Sequence, residues 1–122
     1  MNFNDNLPIY MQIMNLIKKR IISGELKGGE KLASVRELST ELKVNPNTIQ
    51  RSYQELEREN LVSTQRGTGS FVTEDTKIIN ELKKNMATNI VESFLKDMKS
   101  LGFNASEIIS LIDEKVRREK DE

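Results

Sequence analysis

Hydrophobic residues in the first part of the chain recur at the interval of an α-helix. Pro8 is placed in the first turn of this helix, and Gly24 is placed to end it. The apolar stripe between them consists of Ile9, Ile13, Leu16, Ile17 and Ile21. We expect this stripe to pack into a core, and we expect a very short strand at Lys31 and Leu32 after the loop that follows.

A second helix is predicted by its capping pattern. Ser34 followed three residues later by Glu37 forms a capping box, which satisfies backbone N–H groups at a helix start. Leu38 and Leu42 mark the side of this helix that we expect to be buried. The helix is predicted to break near Val44, so the next element begins almost at once.

Asn45 is placed to cap a third helix, and Pro46, which lacks an N–H group, suits the first helical position. The inward-facing positions of this helix are Ile49, Tyr53 and Leu56. The polar positions on its other faces, near its start, are Asn47, Thr48, Gln50 and Arg51. Two short helices joined by a tight turn, with polar side chains early in the second helix, are typical of a helix-turn-helix motif.

The segment after the third helix predicts a two-stranded hairpin. Its apolar ends are Leu61 with Val62 and Phe71 with Val72, and its tip consists of Arg66, Gly67, Thr68 and Gly69. Glycines at a tip indicate by themselves only a turn with positive φ angles. The adjacent arginine and the position directly after a helix-turn-helix predict a wing that contacts DNA.

From Thr76 onward the pattern changes to a long helix with a wide apolar face, which ends at Gly102. This face consists of Ile78, Ile79, Leu82, Met86, Ile90, Val91, Phe94, Leu95, Met98 and Leu101. Asn104 and Glu107 predict the cap of a shorter helix that precedes a charged end from Arg117 to Glu122. The apolar positions of that helix are Ile108, Ile109, Leu111, Ile112 and Val116.

Two helices with this much apolar surface cannot bury it on each other alone, so they predict a dimerisation hairpin. The residues expected to face a partner chain are Leu82, Met86, Ile90, Phe94, Met98, Ile108, Leu111 and Ile112. The alternative is a monomer in which both helices fold back on the N-terminal domain. The predicted fold is mainly α with a small β-hairpin, comprising a winged helix-turn-helix domain over residues 1–75 and a helical dimerisation region over residues 76–122.

Composition narrows the function classes. The 122 residues include 19 basic and 19 acidic side chains, so affinity for DNA must come from where the charges lie. The absence of Cys and His argues against zinc sites and against hydrolysis by a nucleophile with an imidazole base. We therefore expect no metal, no cofactor and no enzyme activity. No apolar run approaches the roughly 20 residues that span a bilayer, and Met1 to Leu7 is unlike a signal peptide, so we expect a cytoplasmic protein without membrane contact.

Many positions in fixed order closely resemble the GntR family of bacterial regulators, far beyond what a short motif supplies. They are Pro8-Ile9-Tyr10, Gln12-Ile13, Ile22 to Leu26, Leu32, Ser34 to Leu38, Val44, Asn47-Thr48, Tyr53, Glu55-Leu56-Glu57 and Arg66 to Val72. The short two-helix end resembles the YtrA subfamily. That likeness implies dimerisation through the C-terminal helices and the lack of a large effector-binding domain.

The family resemblance also implies DNA contacts where residues agree. These positions are Arg36 in the second helix, Thr48 and Arg51 in the third helix, and Arg66, Gly67 and Gly69 in the wing. Pro46 and Gln50 stand where arginine is common in the family, which implies that this chain binds a different operator.

Taken together, the sequence predicts a transcriptional regulator, a repressor, that binds double-stranded operator DNA with an inverted repeat as a homodimer. In the major groove, Asn47 or Gln50 would pair with adenine and Arg51 with guanine or a phosphate. Thr48 and the backbone near Asn45 would contact phosphates, and the wing would place Arg66 in the minor groove.

Resemblance to the subfamily implies control of a transporter operon. The sequence leaves open whether a small-molecule effector binds between the C-terminal helices and the DNA-binding domain. No residue pattern indicates the chemistry of such an effector. The alternative function is a protein-interaction module that uses the winged helix without specific DNA binding.

Overall fold

The computed structural model describes residues 6–121, which form five helices and one two-stranded antiparallel hairpin. The elements are α1 (Ile9–Ser23), α2 (Val35–Leu42), α3 (Pro46–Arg58), β1 (Val62–Gln65), β2 (Gly69–Val72), α4 (Thr76–Ser100) and α5 (Ala105–Asp121). The predicted fold class, mainly helical with one small hairpin, is confirmed. Residues 1–5 of the predicted N-terminal domain and Glu122 of the predicted charged end lie outside the described residues.

The chain divides into two compact units, Met1–Lys83 and Lys84–Glu122. The predicted domain boundary, between residues 75 and 76, coincides with the start of α4, and the first part of that helix belongs to the N-terminal unit. The assignment of DNA binding to one side of this boundary and dimerisation to the other stays a prediction.

Helix α3 is the central element of the N-terminal unit, where it packs against α1, α2 and β1. Its buried side carries Ile49, Tyr53 and Leu56, as the sequence predicts, together with a fully buried Ser52. Hydrophobic side chains of the neighbouring elements complete this core; they are Ile13, Ile17, Ile21, Leu38, Leu61, Val62 and Val72. Because one side of α3 is held in this core, its polar positions on the other faces lie in solvent.

The apolar stripe of α1 becomes buried later along the helix than the sequence predicts. Ile9 is 45% exposed, because it is the first residue of α1 and lies one turn before the fully buried Ile13. Leu16 is half-buried. Gln12 is buried instead, and its side-chain amide donates a hydrogen bond to the Leu7 carbonyl oxygen over 2.8 Å, which satisfies one of its donors.

The start of α1 also differs by one position from the prediction. Pro8 is the N-cap residue and not a first-turn residue, with an extended ψ of 144°. Its carbonyl oxygen accepts hydrogen bonds from the N–H groups of Met11 and Gln12, so it is the first acceptor of the helix, as expected of an N-cap residue. Gly24 ends α1, as predicted.

Helix α2 begins at the predicted capping box. Ser34 Oγ accepts a hydrogen bond from the Glu37 N–H over 3.0 Å, and the Ser34 N–H donates to the Glu37 carboxylate over 2.9 Å. These backbone and side-chain bonds with Ser34 lower the pKa of Glu37. The stabilisation that Glu37 contributes is therefore present above the ordinary glutamate pKa, and it is lost as the pH falls through the lowered pKa.

Replacement of Ser34 by alanine is expected to lower the free energy of unfolding by about 1 kcal/mol, because the Glu37 N–H loses its acceptor. Urea denaturation of the full chain at neutral pH, followed by circular dichroism, measures the change. Ser63→Ala is the control, since Ser63 lies exposed in β1 and its hydroxyl has no hydrogen-bond partner among residues 6–121. Equal stability of the Ser34→Ala variant and the wild type would contradict a stabilising role for this cap.

Helix α5 is longer than predicted. Its cap is the expected one, with Asn104 and Glu107 joined by two reciprocal hydrogen bonds of 2.9 Å each. The charged segment from Arg117, predicted to follow the helix, continues it to Asp121. Ion pairs one turn apart explain this extension: Arg117 with Asp113 at 3.1 Å and Arg118 with Glu114 at 3.0 Å. An acidic residue four positions before a basic one stabilises a helix.

The C-terminal unit buries little of its apolar surface. Of its described hydrophobic residues, Met98 and Ile108 are buried. The large side chains left exposed are Ile90, Val91, Phe94, Leu101, Phe103, Ile109, Leu111, Ile112 and Val116. No helix within residues 6–121, α4 included, has the length and apolar character needed to cross a membrane. Exposed apolar surface of this extent is typical of a surface that contacts another molecule.

Candidate nucleic-acid interface

The first turns of α3 present polar side chains on a rigid support. Asn45 Oδ1 accepts a hydrogen bond from the Asn47 N–H over 2.8 Å, and Pro46 occupies the first helical position, as the sequence predicts. Asn47, Gln50 and Arg51 are exposed, and Thr48 is half-buried. Because Ile49 and its neighbours hold the opposite side in the core, these side chains form a polar face at the start of α3.

A tight turn joins α2 to α3. Lys43 adopts the left-handed conformation with φ 56°, and the N–H and carbonyl groups of Val44 both bond to Ser39, through its carbonyl oxygen and its hydroxyl respectively. Two helices connected by so short a segment form the predicted helix-turn-helix. Arg36 lies exposed on α2, the first helix of this motif.

Arg51 does not extend freely into solvent. Its guanidinium carbon lies 3.8 Å from the centre of the Tyr10 ring, a cation–π stacking distance. The backbone of Tyr10 is in turn fixed to α3, because Ser52 Oγ donates a hydrogen bond to the Tyr10 carbonyl oxygen at 2.9 Å. Sequence reasoning quoted Tyr10 only within the family resemblance and assigned it no role. The signal for it was an aromatic residue off the apolar stripe of α1.

The hairpin has the predicted form, with one difference at its tip. Val62 pairs with Val72 and Gln65 with Gly69, so Gly69 is the first residue of β2 and not part of the tip. The turn is Arg66 to Thr68, closed by a hydrogen bond from the Thr68 N–H to the Gln65 carbonyl oxygen. Gly67 has a φ of 78°, which residues with a side chain rarely adopt. Space for a Cβ is open there, so backbone conformation and not crowding favours glycine.

Lys31 is a basic residue beside the wing that sequence reasoning did not single out. The predicted short strand is a single bridge between Lys31 and Phe71, supported by a hydrogen bond from the Leu32 N–H to the Ser70 carbonyl oxygen. The Lys31 side chain crosses Gly69 so closely that a Cβ there would lie 2.7 Å from Lys31 Cε. Gly69 therefore allows the lysine stem to lie against the hairpin.

The basic residues of the N-terminal unit fall into two groups. Lys18 pairs with Glu59 at 3.0 Å and Arg58 pairs with Glu55 at 3.2 Å. Within residues 6–121, no ion pair involves the basic side chains beside the helix-turn-helix and the wing, namely Lys31, Arg36, Arg51 and Arg66. Lys31 is close enough to the Glu37 carboxylate to help lower its pKa. These four cations are therefore available to an anionic ligand, although the chain as a whole has no net charge.

The described residues contain no arrangement suited to metal binding, since no group of three or more acidic side chains comes together there. Tyr53 is the group with a strongly shifted pKa, which burial raises to about 12. Its hydroxyl donates a hydrogen bond to the Ala33 carbonyl oxygen at 2.6 Å, so it stays protonated and supports the connection before α2. Tyr53 therefore has a structural role at this connection.

The residues predicted for the two sites lie in different units, apart from Leu82. All ten predicted DNA-contacting residues, between Arg36 and Gly69, belong to the N-terminal unit. Of the predicted dimerisation residues, Leu82 is buried and belongs to that same unit, whereas Met98 and Ile108 are buried in the C-terminal unit. These three side chains are already buried within the single chain, and the contact of the whole set with a partner chain stays a prediction. Met86 is half-buried. The exposed members are Ile90, Phe94, Leu111 and Ile112, of which Ile90 is the most exposed.

Comparison with known proteins agrees with this geometry. The chain is 46% identical over 107 residues to the uncharacterized HTH-type transcriptional regulator YhcF of Bacillus subtilis, a match that covers 88% of each protein. It is 47% identical over 70 residues to the HTH-type transcriptional repressor YtrA of the same organism, covering 57% of this chain and 54% of YtrA. A GntR family transcriptional regulator from Listeria monocytogenes has a similar solved structure, with a TM-score of 0.84, 45% identity, and coverage of 92% of this chain and 98% of that one.

The family profile described as "Bacterial regulatory proteins, gntR family" matches residues 9–72, the segment that contains the helix-turn-helix and the hairpin. The resemblance predicted from the sequence is therefore confirmed, including the likeness to YtrA. The chain belongs to the GntR family of bacterial regulatory proteins, and its relatives are transcriptional regulators and not enzymes.

Proposed function

We propose that this protein is a repressor that binds an inverted-repeat operator in double-stranded DNA as a homodimer. The observation that carries the proposal is the polar face at the start of α3, which a buried helix side holds rigid and which includes an arginine without an acidic partner among the described residues. A helix of this kind fits the major groove, where base edges are distinct.

Within that groove, side-chain chemistry assigns the contacts. Asn47 and Gln50 carry amides that pair with adenine, and the Arg51 guanidinium pairs with guanine. Thr48 is half-buried, so its hydroxyl suits a phosphate at the groove edge, as does the backbone near Asn45. These contacts would fix the position of α3 on the duplex.

The wing supplies contacts to the neighbouring part of the duplex. Arg66, Gly67 and Thr68 form an exposed turn, which fits the minor groove because the glycine permits a close backbone approach. Arg36 is exposed on α2 and Lys31 is exposed beside the hairpin, so both suit contacts to phosphates. Lys31 adds a contact that the sequence alone did not indicate.

A second copy of the chain is the proposed cover for the apolar surface of the C-terminal unit. Nine large hydrophobic side chains are exposed there, from Ile90 on α4 to Val116 on α5, and Ile90 is 65% exposed. A surface shared by two identical chains around a two-fold axis covers both at once. The same symmetry requires an operator whose half-sites are inverted, with centres roughly 10 bp or a multiple of that apart.

A related protein supports repression, and not activation, as the effect on transcription. YtrA is named a transcriptional repressor, and the sequence identity to it makes repression the proposed effect. Control of a transporter operon follows from the subfamily resemblance, and binding to bacterial operators places the protein in the cytoplasm.

Selection of genomic DNA tests the proposed function. Fragments of the source genome are passed over the purified full chain at about 0.15 M salt, where weak contacts to DNA are screened, and the retained fragments are sequenced. Recovery of a two-fold symmetric sequence is expected, including one upstream of the protein's own gene. Retention without any shared sequence, or no retention even at lower salt, would contradict the proposal and favour a protein-interaction module.

A further inference from the structure

We propose that Tyr10 is a positioning residue for DNA recognition: its ring fixes the direction of the Arg51 guanidinium before DNA binds. The inference rests on the proposed function, because it requires Arg51 to contact the operator. It assigns a role in specificity to a side chain on α1, outside the helix-turn-helix.

The contact itself is close and has no competitor. The guanidinium carbon of Arg51 lies 3.8 Å from the centre of the Tyr10 ring. No acidic side chain pairs with Arg51 within residues 6–121, so the ring is the group that holds this cation. Arg51 is exposed and Tyr10 is half-buried, as expected for a platform at the edge of the core with a cation on its solvent side.

The platform has a fixed place because its backbone is bonded to α3. Ser52, the residue after Arg51, is fully buried, and its hydroxyl lies 2.9 Å from the Tyr10 carbonyl oxygen and 3.0 Å from the Thr48 carbonyl oxygen. Ile13 and Ile49 are fully buried in the same pair of packed helices. These contacts fix the main chain at position 10, so a different side chain there would leave this support in place.

Stacking orders the arginine and leaves its donors available. The five N–H groups of a guanidinium lie in its plane, so a ring on one face blocks none of them. An arginine that is already ordered loses less conformational freedom when it binds a base edge, and its donors are aimed at one position. The tyrosine hydroxyl has no part in this effect, so phenylalanine is expected to replace Tyr10.

The first test uses the free protein. Protons on the Arg51 side chain should resonate upfield in the NMR spectrum, because they lie over an aromatic ring. We expect Tyr10→Phe to keep this shift and Tyr10→Leu to abolish it, while the dispersed backbone amide spectrum of a folded chain is retained in both. An upfield shift that persists in Tyr10→Leu, or that is absent from the wild type, would overturn the proposed contact.

The second test measures affinity for the recovered operator and for copies with single base pairs replaced. Tyr10→Leu should weaken operator binding about five- to thirtyfold, since a dimer has two Tyr10–Arg51 pairs, and Tyr10→Phe should not. The base pair that Arg51 contacts is identified as the one whose replacement does not change the affinity of Arg51→Ala. Tyr10→Leu should reduce the discrimination at this base pair and at no other. Adding Tyr10→Leu to Arg51→Ala should cause no further loss.

The remaining outcomes contradict the inference separately from the proposed function. If the wild type prefers its operator but Tyr10→Leu binds equally well or more tightly, Tyr10 does not aim Arg51 and only this inference fails. If Tyr10→Leu lowers operator affinity by the same factor in the wild type and in Arg51→Ala, the tyrosine acts on DNA independently of Arg51. If the wild type binds operator and unrelated DNA alike, the proposed function fails as well.

Discussion

Replacement of Arg51 and Arg66 together by alanine is expected to weaken binding to the operator by at least about 100-fold. In the proposed dimer this variant lacks four guanidinium groups: two at the start of α3, proposed to contact bases, and two at the tip of the wing. The logarithm of the affinity should also fall less steeply with the logarithm of salt concentration, by about two in slope, one for each Arg66 on the DNA backbone. Fluorescence anisotropy with labelled operator between low and physiological salt measures both quantities.

A charge-matched control separates site contacts from overall charge. Arg117→Ala with Arg118→Ala removes the same number of cations from α5, where each pairs with an acidic side chain one turn earlier. We expect this variant to bind the operator with nearly wild-type affinity and slope. If both double variants lose the same affinity, the interaction is general attraction to a polyanion and the assignment of the two arginines is wrong.

Replacement of Ile90 by glutamate is expected to separate the dimer and to lower operator affinity by about 100-fold or more, because linkage of two half-site contacts is lost. Ile90 is 65% exposed in the single chain, so the charge should cost the fold of that chain little. In a dimer interface the same carboxylate would be buried without a partner. Analytical ultracentrifugation gives the oligomeric state, and titration with an operator and with a single half-site gives the two affinities.

Thr88→Glu is the matched control for this prediction. Thr88 is exposed on α4, and two residues of helix place it roughly 160° around the axis from Ile90. It should leave the dimer and operator binding unchanged, and the affinity of the Ile90→Glu chain for a single half-site should equal that of the wild type. A dimer that persists in Ile90→Glu, or a wild type that is monomeric, would contradict the proposed covering of the C-terminal unit.

Local signals made most of the N-terminal fold predictable. The capping box at Ser34 and Glu37 and the Asn45-Pro46 pair both specify helix starts through bonds between near neighbours, and both appear as predicted. The inward set Ile49, Tyr53 and Leu56 follows from helical spacing alone, and it determines which polar side chains of α3 remain outside. For this reason the polar face was predictable without any knowledge of the neighbouring elements.

Features that depend on contacts between distant segments could not be predicted in this way. The stacking of Arg51 on Tyr10 requires α1 to pack against α3, and no spacing within either helix indicates it. The place of Lys31 beside the wing depends on its bridge to Phe71. Ile9 fits the apolar stripe of α1 by spacing, but it is 45% exposed. The exposure of the first residue of a helix depends on how far the packed neighbouring elements extend, which spacing does not indicate.

The central claim, that the full chain recognises one DNA sequence as a dimer, is tested most directly by measuring its affinity for the recovered operator and for a shuffled duplex of equal length at about 0.15 M salt. We expect two chains per operator and a preference for the operator of at least about 1,000-fold, the lower end for specific DNA-binding proteins. Equal affinities for the two duplexes, or one chain per operator, would contradict the claim.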